Sequence, residues 1–285
     1  MHTAGYRGRM KTRERCYTCL QKFAQQIVSL SDANGTLVER CFHLIDRLYS
    51  PLKSPTEISN QVLRYIREQT GVADPFAAKK EMEFRQARQA AEEFRSLFPP
   101  DLEGLLKYSC LGNSQDYFEG SYNVSDFRFI GDVESIRERI AGAGREALLF
   151  ADNLGDFFFD LPLIRFLESA GKNVYYAVKE APAQNDLSMP DAELYGLRDL
   201  FANIISTGAD EVGMRRERMA GTVKDLWESD ALVIAKGMAN YEAMSEFHDE
   251  RPVIYNLKVK CRTVAEALDR NVGEHTSFIG GVYGS

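Results

Sequence analysis

Residues 146–171, EALLFADNLGDFFFDLPLIRFLESAG, decide how the rest of the chain is read. Ala147 to Ala151 is a short apolar run of the kind that forms a buried strand, and it stops abruptly at Asp152 and Asn153. After Gly155, apolar residues return at Phe158, Leu161, Ile164, Phe166 and Leu167, the spacing of one helix face. Asp156 and Asp160 fall at its start, where the helix dipole favours carboxylates. The unit is strand, polar loop, helix. In an open parallel sheet such a loop lies at the carboxyl end of its strand, where doubly wound proteins bind ligands.

The same texture continues to the end of the chain. Asn173 to Val178, Asn203 to Ser206, Ala231 to Ala235 and Val253 to Leu257 are strand-like runs separated by helical patterns. Alternation of this kind predicts an α/β fold with a mostly parallel sheet flanked by helices, a Rossmann-like core. The first part of the chain differs. Cys19, Leu20, Phe23, Ile27 and Leu30 recur at three and four residues, as do Leu37, Cys41, Leu44, Ile45 and Leu48, with Ser31 or Asp32 as the cap between them. A third helix is expected from Ser59 to Glu68, ended at Gly71. A long charged helix opens at Asp74-Pro75 and ends at Pro99-Pro100, and another spans Leu102 to Leu111. The expected organisation is a disordered extension over 1–14, an all-helical N-terminal subdomain over 15–125, and an α/β core over 126–285 that carries the site, with a frayed tail from Gly280.

A net charge of −7 and a pI near 5.3 argue against a nucleic-acid surface or an anionic membrane as partner. A small anionic substrate would need a local cation, a lysine or a metal. No apolar run approaches the ~20 residues of a bilayer span, and the start of the chain is unlike a secretory signal, so a cytoplasmic location is expected. Cys16, Cys19, Cys41, Cys110 and Cys261 are too few and too scattered for a disulfide framework.

Polar clusters close four of the strands. They are Asp152-Asn153, then Asn185 and Asp186 in KEAPAQND, then STGAD with Gly208, then Lys236-Gly237 with Asn240 and Glu242 just beyond. One Asp-Asn after a strand is ordinarily a turn or a cap. If all four meet at one sheet edge, they gather carboxylates, amide oxygens and a lysine. Such oxygens suit a hard divalent cation, and a cation beside a lysine suits a phosphorylated substrate.

DNLGDFFFD, APAQNDLSMPDA, STGAD and SDALVIAKGMANYE, together with CYTC, TGVADPF, LGNSQDYF and LKVKC, resemble in order the DUF89 family, also called damage-control phosphatases or ARMT1-like metal-binding proteins. The resemblance runs from about Cys16 to Leu268, with Leu154 and Asp156 standing where many members carry Ala and Glu. The CxxC looks like that of the stand-alone microbial branch. The resemblance implies a divalent metal (Mn, Ni, Co or Mg) held by Asp152, Asn153 and Asp186, and hydrolysis of a small phosphorylated metabolite. It also implies that Lys236 grips the phosphoryl group and that Asn113, Asp116 and Asn240 line the same pocket, to which the residues themselves add Asn185.

The chemistry those parts allow is hydrolysis by activated water, with Lys236 neutralising charge and either Asp156 or Asp186 taking the proton. A non-catalytic binder of metal or phosphometabolite would use the same pocket. An S-adenosylmethionine-dependent carboxyl methyltransferase would need a Gly-rich loop after the first strand, whereas Gly142 and Gly144 precede it. Cys16 and Cys19 share a helix face and read as core. Zinc would need two more ligands from residues such as Cys41, His43 or Cys261. His2, His43, His248 and His275 show no catalytic spacing, Trp227 and Phe157-Phe158-Phe159 read as packing, and the charged helix after Pro75 reads as a solvated face.

Overall fold

The computed structural model describes residues 9–114 and 127–281. Its centre is a sheet of β1 (Phe129–Gly131), β2 (Glu146–Phe150), β3 (Asn173–Val178), β4 (Ile204–Ser206), β5 (Leu232–Lys236), β6 (Val253–Lys258) and β7 (His275–Gly280). The spatial order is β1-β7-β6-β5-β2-β3-β4. All neighbouring pairs are parallel except β6 with β7. The fold is therefore the mostly parallel α/β arrangement expected, with β1 and β7 as additions. Gly280, expected in a frayed tail, is the buried last residue of β7, paired with Val253.

Strand side chains alternate between two cores, as the pleat requires. Ala147 and Leu149 of β2, with Leu232 and Ile234 of β5, face one layer; Leu148, Phe150, Val233 and Ala235 face the other. Helices α6 (Val133–Gly142), α7 (Asp156–Ser169), α8 (Met189–Leu194) and α9 (Leu197–Leu200) supply the first layer. α10 (Gly221–Glu228), α11 (Gly237–Met244) and α12 (Arg262–Leu268) supply the second. From β2 the chain moves outward through β3 to β4, then returns to place β5 on the other side of β2. The direction reverses between β2 and β5, so the crevice for a ligand lies at their carboxyl ends.

The helices before the sheet are α1 (Glu14–Leu30), α2 (Gly35–Leu48), α3 (Pro55–Thr70), α4 (Ala77–Phe94) and α5 (Leu102–Gly112). The first three enclose a core of their own around Ile27, Ile45 and Ile58. α5 instead buries Leu102, Leu105 and Leu106 in the same core as β2 and β5. Some local expectations change. Asn34, and neither Ser31 nor Asp32, precedes α2, because Ser31 Oγ donates back to the Ile27 carbonyl at 2.9 Å. α3 starts at Pro55, where Ser54 caps it by accepting from the Glu57 N–H and a proline at the first position loses no hydrogen bond.

Two corrections bear on the site. Residues 9–14 were expected in a disordered extension, yet Met10 is 2% exposed and its N–H donates to Ser245 Oγ at 2.8 Å. Met10 and the buried Thr12, whose N–H donates to the Lys53 carbonyl at 2.9 Å, hold a segment that shows no periodicity. α4 is not simply a solvated face: Lys80 and Glu83 are buried, Lys80 against Asp74 at 2.6 Å and Asp191 at 2.8 Å. Among the described residues no helix is long and apolar enough to cross a membrane.

Candidate active site

The site is built first from backbone. The loop after β2 and the loop after β3 are stitched together: Leu187 N–H donates to the Asp152 carbonyl at 2.8 Å and Leu154 N–H to the Asn185 carbonyl at 3.1 Å. Asn153 and Asp186 thereby form an antiparallel bridge. Gln184 takes a left-handed φ of +53°, and Asp186 N–H turns back to the Ala183 carbonyl at 3.1 Å. From α11, just beyond β5, Asn240 Nδ2 donates to the carbonyls of Ala151 at 3.0 Å and Lys236 at 2.8 Å, tying the ends of β2 and β5. Gly237, with φ +76°, lies so close that a Cβ there would overlap the Asp152 carboxylate.

Side chains then close on Asp152. Asn113, at the end of α5, donates from Nδ2 to Asp152 Oδ2 and to Asp156 Oδ2 at 3.1 Å, while the Lys258 N–H donates to its Oδ1 at 3.4 Å. Asn153 Nδ2 donates to Asp152 Oδ2 at 3.1 Å and Asp156 Oδ1 at 3.4 Å. Asp152, Asp156 and Asp186 are buried. Burial pushes all three carboxyls up, Asp156 and Asp186 to about 7, and each of those two is pushed further by the Asp152 charge. Lys260, Lys179 and Lys236 oppose the rise at Asp152. The Asp152 charge thus opposes ionisation of both neighbours.

The structure brings together Asp152, Asn153, Asp156, Asp186 and Asn113. It gives other expected residues different surroundings. The Lys236 ammonium was expected to grip a phosphoryl group, but it is fully buried, bonded to Asp160 Oδ1 at 2.8 Å and to Ser109 O and Oγ at 2.6 Å each. Burial would lower its pKa, yet Asp160 and Asp156 raise it, so it is a fixed positive charge behind the site. Asn185 turns its amide to Glu83 Oε2 at 3.4 Å. The amide nitrogen of Asn240 is used by backbone carbonyls, and its Oδ1 is buried without a hydrogen bond among the described residues. Asp116 lies outside the described residues.

Sequence reasoning missed Lys179, which sits 3.5 Å from Asp186 Oδ2, and Lys260, an exposed lysine whose charge acts on both Asp152 and Asp186. Their positions directly beyond β3 and β6 are the signal that locates them. It also missed Asp160, which takes Tyr176 Oη at 2.8 Å and Ser109 Oγ at 2.6 Å as well as Lys236. One helical turn separates it from Asp156, so both face the sheet.

A divalent cation fits this set. Among the described residues no three His, Cys, Asp or Glu side chains stand together as a metal cage, so the fitting donors are mixed: two carboxylates and an amide. Asp186 Oδ2 is buried with no hydrogen bond, its neighbouring ammonium standing at ion-pair distance only. Both amide donors to Asp152 land on Oδ2, leaving Oδ1 without a hydrogen bond to any described residue. Buried anionic oxygens of this kind call for a cation.

All described cysteines are free thiols. Cys16 is buried with Sγ 3.6 Å from Thr263 Oγ1, and Cys19 is exposed. His275 is buried, with Nε2 2.6 Å from Ser114 Oγ, and His248 lies 3.3 Å from Asp249. Phe157, Phe159 and Trp227 are core, as their apolar character implies.

Most of the chain has known counterparts. The pattern of the damage-control phosphatase ARMT1-like domain matches residues 12–276. A damage-control phosphatase of Pyrococcus horikoshii is 28% identical over 274 residues, covering 91% of this chain and 94% of that protein. Another from Archaeoglobus fulgidus is 25% identical over 285 residues, covering 93% and 98%. An uncharacterised protein of Methanocaldococcus jannaschii is 27% identical over 288 residues, covering 93% and 94%. The crystal structure of a DUF89 family protein from Pyrococcus horikoshii superposes with a TM-score of 0.81 at 27% identity, covering 94% and 98%. The ordered motifs, the sheet and the reach of the match agree, and the chain belongs to the damage-control phosphatase ARMT1-like family, also known as DUF89.

Proposed function

We propose that this protein is a metal-dependent phosphatase that hydrolyses small phosphate monoesters. The observation that carries the reading is the backbone bridge between Asn153 and Asp186, which sets two carboxylates and an amide from separate loops into one buried patch at the β2/β5 crevice. Similarity to relatives named damage-control phosphatases supports a phosphatase function in general. Asp152, Asn153 and Asp186 would hold Mn, Ni, Co or Mg, which when bound polarises a phosphoryl oxygen and makes a bound water acidic.

The chain's own residues do the rest. Asn113 and Asn153 hold Asp152 and Asp156 in place through their amide nitrogens. Asp156, outside the proposed ligand set, has a carboxyl that burial pushes up to about 7, the range a general base needs. Lys179 and Lys236 are cations beside Asp186 and Asp160, and exposed Lys260, whose charge acts on Asp152 and Asp186, would meet an incoming phosphoryl group. Together they supply local positive charge in a protein of net charge −7, which a dianionic substrate requires.

The test is phosphate release from 4-nitrophenyl phosphate and from hexose phosphates, with chelated protein to which Mn²⁺, Ni²⁺, Co²⁺ or Mg²⁺ is returned. Hydrolysis that appears only with metal is expected. Folded, metal-binding protein that releases no phosphate from any ester would assign the pocket to binding alone.

A further inference from the structure

The loop after β3 and the start of α11, which both pack against the acidic cluster, have a second face. Gln184, directly before Asn185 and Asp186, and Met238 and Ala239, directly after Gly237, line a cavity of about 450 Å³. α1 closes it with Cys16, Cys19, Leu20 and Phe23, and α3 with Thr56 and Ser59. That volume falls in the range of small-molecule pockets, ~300–1,000 Å³. The lining is largely apolar. Lys260 links the cavity to the acidic site, since its N–H donates to Met238 Sδ at 3.1 Å while its charge acts on Asp152 and Asp186.

Three charged side chains line it: Arg15, paired with Glu266, and Arg262 are exposed, and Glu242 alone is set into the buried wall. Glu242 of α11 is 8% exposed, and its carboxylate makes no hydrogen bond or ion pair to any described residue. Burial alone pushes its carboxyl up to about 7. A mostly buried carboxyl that no protein group partners takes its hydrogen bond from whatever fills the cavity, water or a ligand N–H or O–H.

We infer that this cavity receives the alcohol portion of the phosphate ester and selects alcohols with an apolar body that present a hydrogen-bond donor to Glu242. The inference rests on the phosphatase reading for the phosphoryl end only. A hexose, with a hydroxyl on nearly every carbon, would leave several of them unpaired against Leu20, Phe23 and Met238. An aromatic or aliphatic alcohol with one donor meets both the lining and Glu242. Glu242 is thus a specificity residue, remote from the reacting atoms.

The test compares 2-(4-hydroxyphenyl)ethyl phosphate, 2-phenylethyl phosphate and glucose 6-phosphate, alongside alkylation of Cys19 by N-ethylmaleimide followed by peptide mass spectrometry. Cys19 lies exposed on the cavity wall and reports occupancy without turnover. The expected kcat/KM order is hydroxylated aryl ester, plain aryl ester, hexose phosphate, the first two differing by about tenfold. In Glu242→Leu that ratio falls to near one. Millimolar 2-(4-hydroxyphenyl)ethanol, which has no phosphate, slows Cys19 alkylation in the native protein but not in Ser59→Trp, which fills the cavity from α3. Protection of Cys19 without hydrolysis of any ester would sustain the pocket and remove the phosphatase reading. Hydrolysis that ignores the alcohol, with Cys19 alkylated at the same rate throughout, would overturn the pocket and leave the phosphatase reading standing.

Discussion

Replacing Gly237 with alanine separates backbone strain from damage to the acidic site, because the chain contains its own control. Gly71 and Gly237 have nearly the same left-handed φ, +73° and +76°. A methyl group at Gly71 would meet open space, whereas one at Gly237 would overlap the Asp152 carboxylate. The left-handed conformation costs an L-residue about 1–2 kcal/mol, so Gly71→Ala should lose about that much stability and no activity. Gly237→Ala carries the same penalty plus about 1–3 kcal/mol of overpacking, and relief comes by moving Asp152. A carboxylate displaced by an ångström should cost about a hundredfold in aryl phosphate hydrolysis. It should also remove the stabilisation that a metal at a hundred times its dissociation constant confers, about 2.7 kcal/mol. The assay is urea unfolding of both variants with and without Mn²⁺, beside steady-state hydrolysis. Equal activity and equal metal stabilisation in the two variants would refute the placement of Asp152 as a ligand.

Other outcomes follow from the same geometry. Asp152→Asn should leave metal-free stability unchanged or raised, because it removes a buried carboxylate whose ionised form burial disfavours, while hydrolysis falls at least about a hundredfold; chemical unfolding and initial rates measure the two. Metal-free stability should fall as pH rises from the unfolded carboxyl range near ~4 towards about 7. Asp156 and Asp186 keep their protons to higher pH in the folded chain, so the native state binds more protons across that window; saturating Mg²⁺ should flatten the slope in unfolding curves at several pH values. Lys80→Met should cost about 3–5 kcal/mol, since it leaves Asp191 buried without its ammonium partner; thermal unfolding would show it.

Much of this architecture was legible in the chain itself, and the exceptions share physical causes. β2 to β6 announce themselves as short apolar runs because strands buried on both faces need no alternation. β7 hides because its first three residues, His275, Thr276 and Ser277, are polar yet buried, and β1 because Phe129–Gly131 is only three residues long. Asp152, Asn153 and Asp186 were readable as polar residues at strand ends. The role of Lys236 was not, since its partners Asp160 and Ser109 come from α7 and α5, and only the packing of those helices across the sheet brings them to it. Lys80 and Glu83 look like any solvated helix face until Asp191 and Asn185 arrive from beyond β3. A pairing between distant segments leaves no periodicity to read.

The account stands on Asp152, Asn153 and Asp186 holding one divalent ion that is used for phosphoryl hydrolysis. Its most direct test is phosphate release by chelated protein before and after Mn²⁺ is restored, native chain against Asp186→Asn. The account predicts release from the native chain only when the ion is present, and none from the variant under either condition. Equal release in chelator, or an undiminished rate from Asp186→Asn with Mn²⁺, would contradict it.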